Sequence, residues 1–252
     1  MPIRVERRGP ASWIIIDRVD KGNSLDLQHA LQLADTVRAE CSHSDTSVIV
    51  LRGAGDRFFS TGVDLEAVAS IRGPEDSWML MGEGLGGVCR ALSECSKPVI
   101  AAVNGHAVGI GFEMLYASDI AIAVKGAKLG SPAAKWGMVP PATTTIGPWI
   151  IGYKAAAYIA LTGRLLSSEE ALRLGIINMV VDSPEDLDRV VEEIVEDITR
   201  NDQWAVRTAK ELLREARLHM SLQRGLAMLV YSASRNEARR RARGFLEGKA
   251  SK

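Results

Sequence analysis

The apolar positions of this chain change period along its length, and the change divides it into kinds of element. From residue 98 to 124 they run almost unbroken. Pro98 to Val103 reads as a buried strand, Asn104-Gly105 as a sharp turn, and Ile120 to Val124 as a second buried strand. Between them the spacing of Phe112, Met114 and Leu115 predicts a short helix over Ile110 to Ser118, preceded by the flexible backbone of Gly109-Ile110-Gly111. A helix start carries free N–H groups and a partial positive charge. Here that start is wedged between core strands, with Glu113 in its first turn. Free amides beside one carboxylate in an apolar setting can hold an oxyanion and move a proton.

The same reading extends to the rest of the chain. Ile3 to Arg7 and Trp13 to Asp17 read as strands around an Arg8-Gly9-Pro10 turn, and Ser47 to Leu51 as a buried strand. Leu25 to Glu40 reads as an amphipathic helix with Leu27, Leu31, Ala34 and Val37 on one stripe and Asp26 near its start. Residues 66 to 76 read as a mobile loop. Glu75 to Leu92 reads as a helix that carries Trp78, Met81, Leu85 and Val88, with four glycines that weaken it or allow close packing. Lys128 to Met138 reads as irregular. Ala142 to Leu161 reads as one or two helices, Ser167 to Leu174 as a helix with a serine cap, and Ile177 to Val181 as a strand. From Pro184 onward helix dominates, in segments to about residue 199, over Gln203 to Ala216 and over Leu222 to Arg243. Alternating strands and helices followed by helices alone predict an α/β core with a helical C-terminal part.

Composition narrows the function classes. The chain has 252 residues, 46% hydrophobic and 25% charged, with a formal net charge of zero. No global field favours nucleic acid or anionic lipid. No apolar run is long enough for a membrane span, and strand-like sequence from Ile3 predicts no signal or transit peptide. Cys41, Cys89 and Cys95 lack metal-ligand spacing and read as reduced thiols of a cytoplasmic protein.

Two glycine-bearing turns follow buried strands: Ser60-Thr61-Gly62-Val63-Asp64-Leu65 and Gly109-Ile110-Gly111. Turns at the ends of neighbouring parallel strands can each offer one backbone N–H to the same oxygen. At these residues the chain resembles the crotonase superfamily, the enoyl-CoA hydratase/isomerase family. Asp17-Arg18-Val19-Asp20-Lys21-Gly22-Asn23-Ser24-Leu25 is similar to the family's Asn-Arg-Pro…Asn-Ala-Leu entry segment. Phe59-Ser60-Thr61-Gly62-Val63-Asp64-Leu65 resembles its Phe-x-Ala-Gly-x-Asp-Leu loop, and Lys97-Pro98-Val99-Ile100-Ala101-Ala102-Val103-Asn104-Gly105 is close to its consensus. Leu161-Thr162-Gly163-Arg164, Ala171-Leu172-Arg173-Leu174-Gly175-Ile176-Ile177-Asn178 and Arg243-Gly244-Phe245-Leu246-Glu247-Gly248-Lys249 follow in the family's order.

The resemblance implies a spiral of ββα units over residues 1–195. It also implies a helical oligomerisation region over residues 196–252 that builds a homotrimer or a hexamer. The substrate implied is an acyl-CoA thioester, held by the backbone amides of Val63 and Ile110, with Glu113 as acid and base. No metal and no cofactor beyond the substrate's own coenzyme A is implied, and neither nucleic acid nor membrane is an expected partner. Lys21 and Lys249 match or approach positions near the coenzyme A phosphates, and Trp136 and Trp78 are candidate walls of the acyl pocket. Ile110 departs from the usual glycine, which puts the aim of its amide in question. Ala133 stands where hydratases carry a second glutamate, and the segment near Pro141 lacks the acid that some isomerases and hydrolases place there. Glu66 replaces a lysine common in relatives.

With one acid left, double-bond isomerisation, a specialised hydration and decarboxylation each survive, and so does an acyl-CoA-binding protein without turnover. Other side chains near these motifs have plainer readings. His106 reads as hydrogen-bonded beside a core strand, Thr143 to Thr145 as caps or lining, Tyr116 as packing and Asp64 as structural. The run Arg239 to Arg243 reads as a solvated or subunit-facing stripe.

Overall fold

The runs of consecutive apolar residues become the middle of a six-stranded sheet. The computed structural model describes residues 2–218 and 222–250. Strands β1 (Ile3–Arg8) and β2 (Ala11–Ile16) form an antiparallel hairpin. The chain then continues through α1 (Leu27–Ser42), β3 (Val48–Gly53), β4 (Phe58–Ser60), α2 (Leu65–Ala69) and α3 (Pro74–Ser77). A π-helical stretch over Trp78–Leu85 leads into α4 (Gly86–Glu94). After it come β5 (Val99–Val103), β6 (His106–Val108), α5 (Ile110–Ala117), β7 (Ile120–Val124) and β8 (Lys128–Gly130). Then follow α6 (Pro141–Thr145), α7 (Gly147–Ile150), α8 (Tyr153–Thr162), β9 (Leu166–Ser167), α9 (Ser168–Arg173), β10 (Met179–Val181) and α10 (Pro184–Arg200). Helices α11 (Gln203–Leu218), α12 (Leu222–Ser234) and α13 (Asn236–Ala250) close the chain.

The large sheet has the order β1-β2-β3-β5-β7-β10, and from β2 to β10 its neighbours are parallel. Strands β2 and β5 are buried along their whole length and β3 and β7 nearly so, so they show no alternation of apolar and polar residues. A second, smaller sheet has the order β4-β6-β8-β9. From β3 to β8 each turn of the chain lays one strand in the large sheet and the next in the small one, then crosses through helix. This is the spiral of ββα units that the resemblance implies. Because β4 and β6 are adjacent and parallel, the turns that follow them emerge side by side.

Several local expectations change. Lys128–Gly130 is a strand, held between β6 and β9; three residues show no readable period. Residues 65–69 are helical, not loop, because the Asp64 carboxylate caps α2 by accepting the Glu66 N–H. In α1 the buried face is Ala30, Leu33, Ala34, Val37 and Glu40, while Leu31 is exposed. The glycines of the helical stretch before β5 serve packing: a methyl group at Gly86 would stand 3.0 Å from the Leu226 side chain.

The cysteines differ as well. Helices α1 and α4 pack side by side and bring Cys41 and Cys95 into a disulfide, while Cys89 is free and buried. The arginine run is largely solvent-exposed, as the sequence predicts, with Arg240 and Arg241 paired to Glu237, but two of its members also tie the fold together. Arg239 donates to the Ile71 and Arg72 carbonyls and Arg243 to the Ala69 carbonyl, which straps α13 onto the end of α2. Among the described residues no helix is long and apolar enough to cross a membrane.

Candidate active site

A cavity of about 970 Å³ opens at the ends of β4 and β6. The turns after those strands form one wall. Gly62 has φ +99°, a conformation that favours glycine. A methyl group there would lie 2.8 Å from the Val108 carbonyl oxygen and 3.2 Å from the Ile110 nitrogen, so only glycine lets the two turns meet. Val63 and Ile110 both line the cavity. Among the described residues neither of their amides has an acceptor in the protein. Gly109, at φ +59°, takes the unusual backbone angle, and Ile110 follows as the first residue of α5 at an ordinary negative φ. A β-branched residue is therefore tolerated at this helix start.

The loop before α1 frames the same wall. Asn23 adopts φ 55° and donates to the Ala54 and Phe58 carbonyls, while accepting the Arg18 N–H. Arg18 spans the Ser24 carbonyl and the carboxylates of Asp26 and Asp64. Asp64 is thus engaged twice, as a cap and by Arg18, in keeping with a structural role.

Glu113 stands on α5 with 1% exposure and reaches the cavity wall. Its Oε2 accepts the Ala142 N–H at 2.5 Å and the Thr143 N–H at 3.0 Å, from the start of α6. Its Oε1 accepts the Thr143 hydroxyl at 2.5 Å, and the nearby Ser131 hydroxyl also favours the ionised carboxylate. Burial pushes the carboxyl above its ordinary range, and these donors offset only part of that cost. Two other ionisable groups face it. Burial and the Glu113 charge push the Cys89 thiol of α4 up to about 12, and they raise the Tyr116 phenol as well. Of the three, Glu113 is the group that ionises most readily, since burial drives the thiol and the phenol further from neutrality.

Ala133 lines the cavity with no carboxylate of its own. The other acids on the wall are Asp20 and Glu66 near the mouth and Asp64, so Glu113 is the one fully buried carboxyl there. Trp136 lines the cavity and meets Phe245 of α13 edge to face, with ring centroids 5.1 Å apart. Trp78 is a correction. It stands 46% exposed with its ring over Gly82, and Met81 and Leu85, one turn and two turns on, line the cavity instead. Lys21 lies at the mouth but is paired with Glu66 at 3.0 Å, which raises its pKa. Lys249 is on α13, and its side chain lies outside the described residues.

His106 accepts the Lys128 N–H through Nδ1 and does not line the cavity. Burial, with Arg57 and Lys128 nearby, lowers its pKa and keeps it neutral. Sequence reasoning missed Thr143 as the partner of Glu113, Ser131 on the cavity wall, and Leu229, Phe245 and Leu246 as the C-terminal wall. Among the described residues no group of three His, Cys, Asp or Glu side chains is placed to hold a metal ion.

Comparison with known proteins decides the family. The family model described as enoyl-CoA hydratase/isomerase matches residues 11–250. The chain belongs to the enoyl-CoA hydratase/isomerase family. It is 34% identical over 226 residues to a carnitinyl-CoA dehydratase of Salmonella arizonae, covering 88% of this chain and 84% of that one. Among solved structures, an enoyl-CoA hydratase from Bacillus halodurans superposes with a TM-score of 0.87 at 27% identity, covering 97% of this chain and all (100%) of that one. Pseudomonas aeruginosa OdaA superposes with a TM-score of 0.89 at 26% identity, covering 97% and 98% of the two chains. This member of the enoyl-CoA hydratase/isomerase family is thus a crotonase-fold enzyme whose substrates are acyl-CoA thioesters.

Proposed function

We propose that this enzyme shifts a double bond within an enoyl-CoA by moving one proton between two carbons. The thioester oxygen accepts hydrogen bonds from the Val63 and Ile110 amides, which stabilise the enolate. Glu113 removes a proton from one carbon and returns it to another. The observation that carries this reading is that, among the described residues, Glu113 is the one buried carboxyl on the cavity wall. Syn-hydration by the two-carboxylate route needs one acid for water and one for the α-proton, and Ala133 supplies none. A proton shuttle needs one group with access to both carbons. Lys21, at the mouth, is assigned to the coenzyme A phosphates, with Glu66 competing for the same ammonium. Trp136, Met81 and Leu85 are assigned to the acyl chain.

The test offers the purified enzyme a 3-enoyl-CoA and a 2-enoyl-CoA, with Glu113→Gln alongside. Conversion of the 3-enoyl substrate, lowered by about 10²-fold or more in the variant, is the expected result. Hydration of the 2-enoyl substrate as the faster reaction would replace isomerase by hydratase. Binding of both without turnover would sink the enzyme reading of Glu113 and leave decarboxylation to be assayed.

A further inference from the structure

The two oxygens of Glu113 are not equivalent. Oε2 accepts two backbone N–H groups from the start of α6, at 2.5 and 3.0 Å. These donors have no alternative role, since an amide nitrogen cannot accept. A proton on Oε2 would have to displace one of them inside a buried site. Oε1 faces a different partner, the Thr143 hydroxyl at 2.5 Å. A hydroxyl both donates and accepts, so it can turn as the carboxyl changes state. Thr143 is fully buried and is absent from the cavity wall, so it has no path to the substrate. Its neighbours Thr144 and Thr145 turn their hydroxyls to the Pro140 and Pro141 carbonyls instead.

We propose that Thr143 is a positioning residue that makes Oε1 the proton-carrying oxygen of Glu113. The inference rests on the reading of Glu113 as the base. In the forward step the substrate C–H bond breaks and its electron pair becomes the enolate, while the proton forms a bond to Oε1. The Thr143 hydroxyl donates to Oε1 before transfer. After transfer it rotates to accept, or yields, leaving the new O–H aimed at the enolate carbon. In the second step the O–H bond breaks and the proton joins the other carbon. The groups facing Glu113 from the packed elements are Cys89 of α4, Tyr116 of α5, Ser131 after β8 and Thr143 of α6. The first two stay protonated, and the last two do not ionise.

The experiment compares Thr143→Val and Thr143→Ser with the unaltered enzyme. Valine keeps the shape and the backbone N–H but removes the hydroxyl donor. Losing a donor to the ionised form favours the protonated form. The acidic limb of the kcat profile should therefore move up by about one pH unit, so kcat measured on that limb, below its midpoint, should fall about tenfold. KM should stay within about twofold, and serine should restore the profile. A limb that does not move in Thr143→Val overturns the proposal. A carboxyl-region infrared titration, with Glu113→Gln to assign the band, reads the same shift without turnover. If Glu113→Gln leaves activity intact, the base reading fails, and the infrared midpoint alone decides the Thr143 proposal. If the valine variant does not fold, Thr143→Ala takes its place in both measurements.

Discussion

Glu113 shows how far a single residue could be read before its surroundings were known. Its place in the first turn of a buried helix was visible from the apolar run around it. Its partner was not, because Thr143 lies 30 residues later among three identical side chains. Only the docking of α6 decides which of the three hydroxyls faces the carboxyl. Burial has a consequence for stability. The folded-state pKa of Glu113 is raised above the ordinary 4.5, so the folded protein holds this proton more tightly than the unfolded chain. Stability from this group is therefore present below about pH 4.5 and is lost as pH rises through the folded value. Glu113→Gln removes that slope and keeps the shape. The melting temperature of the variant relative to the unaltered enzyme should climb between pH 4.5 and neutrality. A difference that is flat over that interval would contradict the raised pKa.

At the scale of elements, legibility followed length. Strands β2, β3, β5 and β7 were readable because each buries several consecutive apolar residues. Strands β6 and β8 were not, since three residues show no period. The approach of α5 to β4 was equally hidden, although it aims the Ile110 amide. Gly111 makes that approach possible: a methyl group there would stand 2.5 Å from the Ser60 carbonyl oxygen. Alanine is the better helix former by about 1 kcal/mol, so local propensity alone predicts that Gly111→Ala stabilises α5. Backbone overlap outweighs it, and a net loss of about 1–3 kcal/mol is expected, as for other overpacked sites. Turnover should fall too, since α5 must back away from β4 and carry the Ile110 amide with it. Gly244 on α13 is the control. A methyl group there meets nothing within 4 Å, so Gly244→Ala should gain up to about 1 kcal/mol. Urea unfolding of the two variants checks both signs. Equal effects would show that packing at Gly111 is looser than the structure has it.

Across the whole molecule, the spiral brings distant segments together in ways that spacing cannot announce. The C-terminal helices return to cover the cavity, and Leu229, Phe245 and Leu246 complete a wall that begins at Lys21. The pairing of the cysteines is hidden in the sequence for the same reason. Cys41 and Cys95 are separated by 54 positions, and nothing local pairs them; the side-by-side packing of α1 and α4 does. A cross-link across a loop of that size removes unfolded-chain entropy worth about 4 kcal/mol, with 2–4 kcal/mol typical of measured cases. For a chain of this length that corresponds to a melting temperature on the order of 10 °C higher. Cys41→Ser with Cys95→Ser, or a reductant, should remove that increment. Neither cysteine lines the cavity, so KM measured well below the transition should not change. Alkylation before and after reduction checks the chemistry directly: two sulfurs should become reactive only after reduction. Cys89 should label only on unfolding, because it is buried and unbridged in either state. If all three thiols label in the unfolded, unreduced chain, the bridge does not form. The packing of α1 on α4 would then have to hold that end of the core without it.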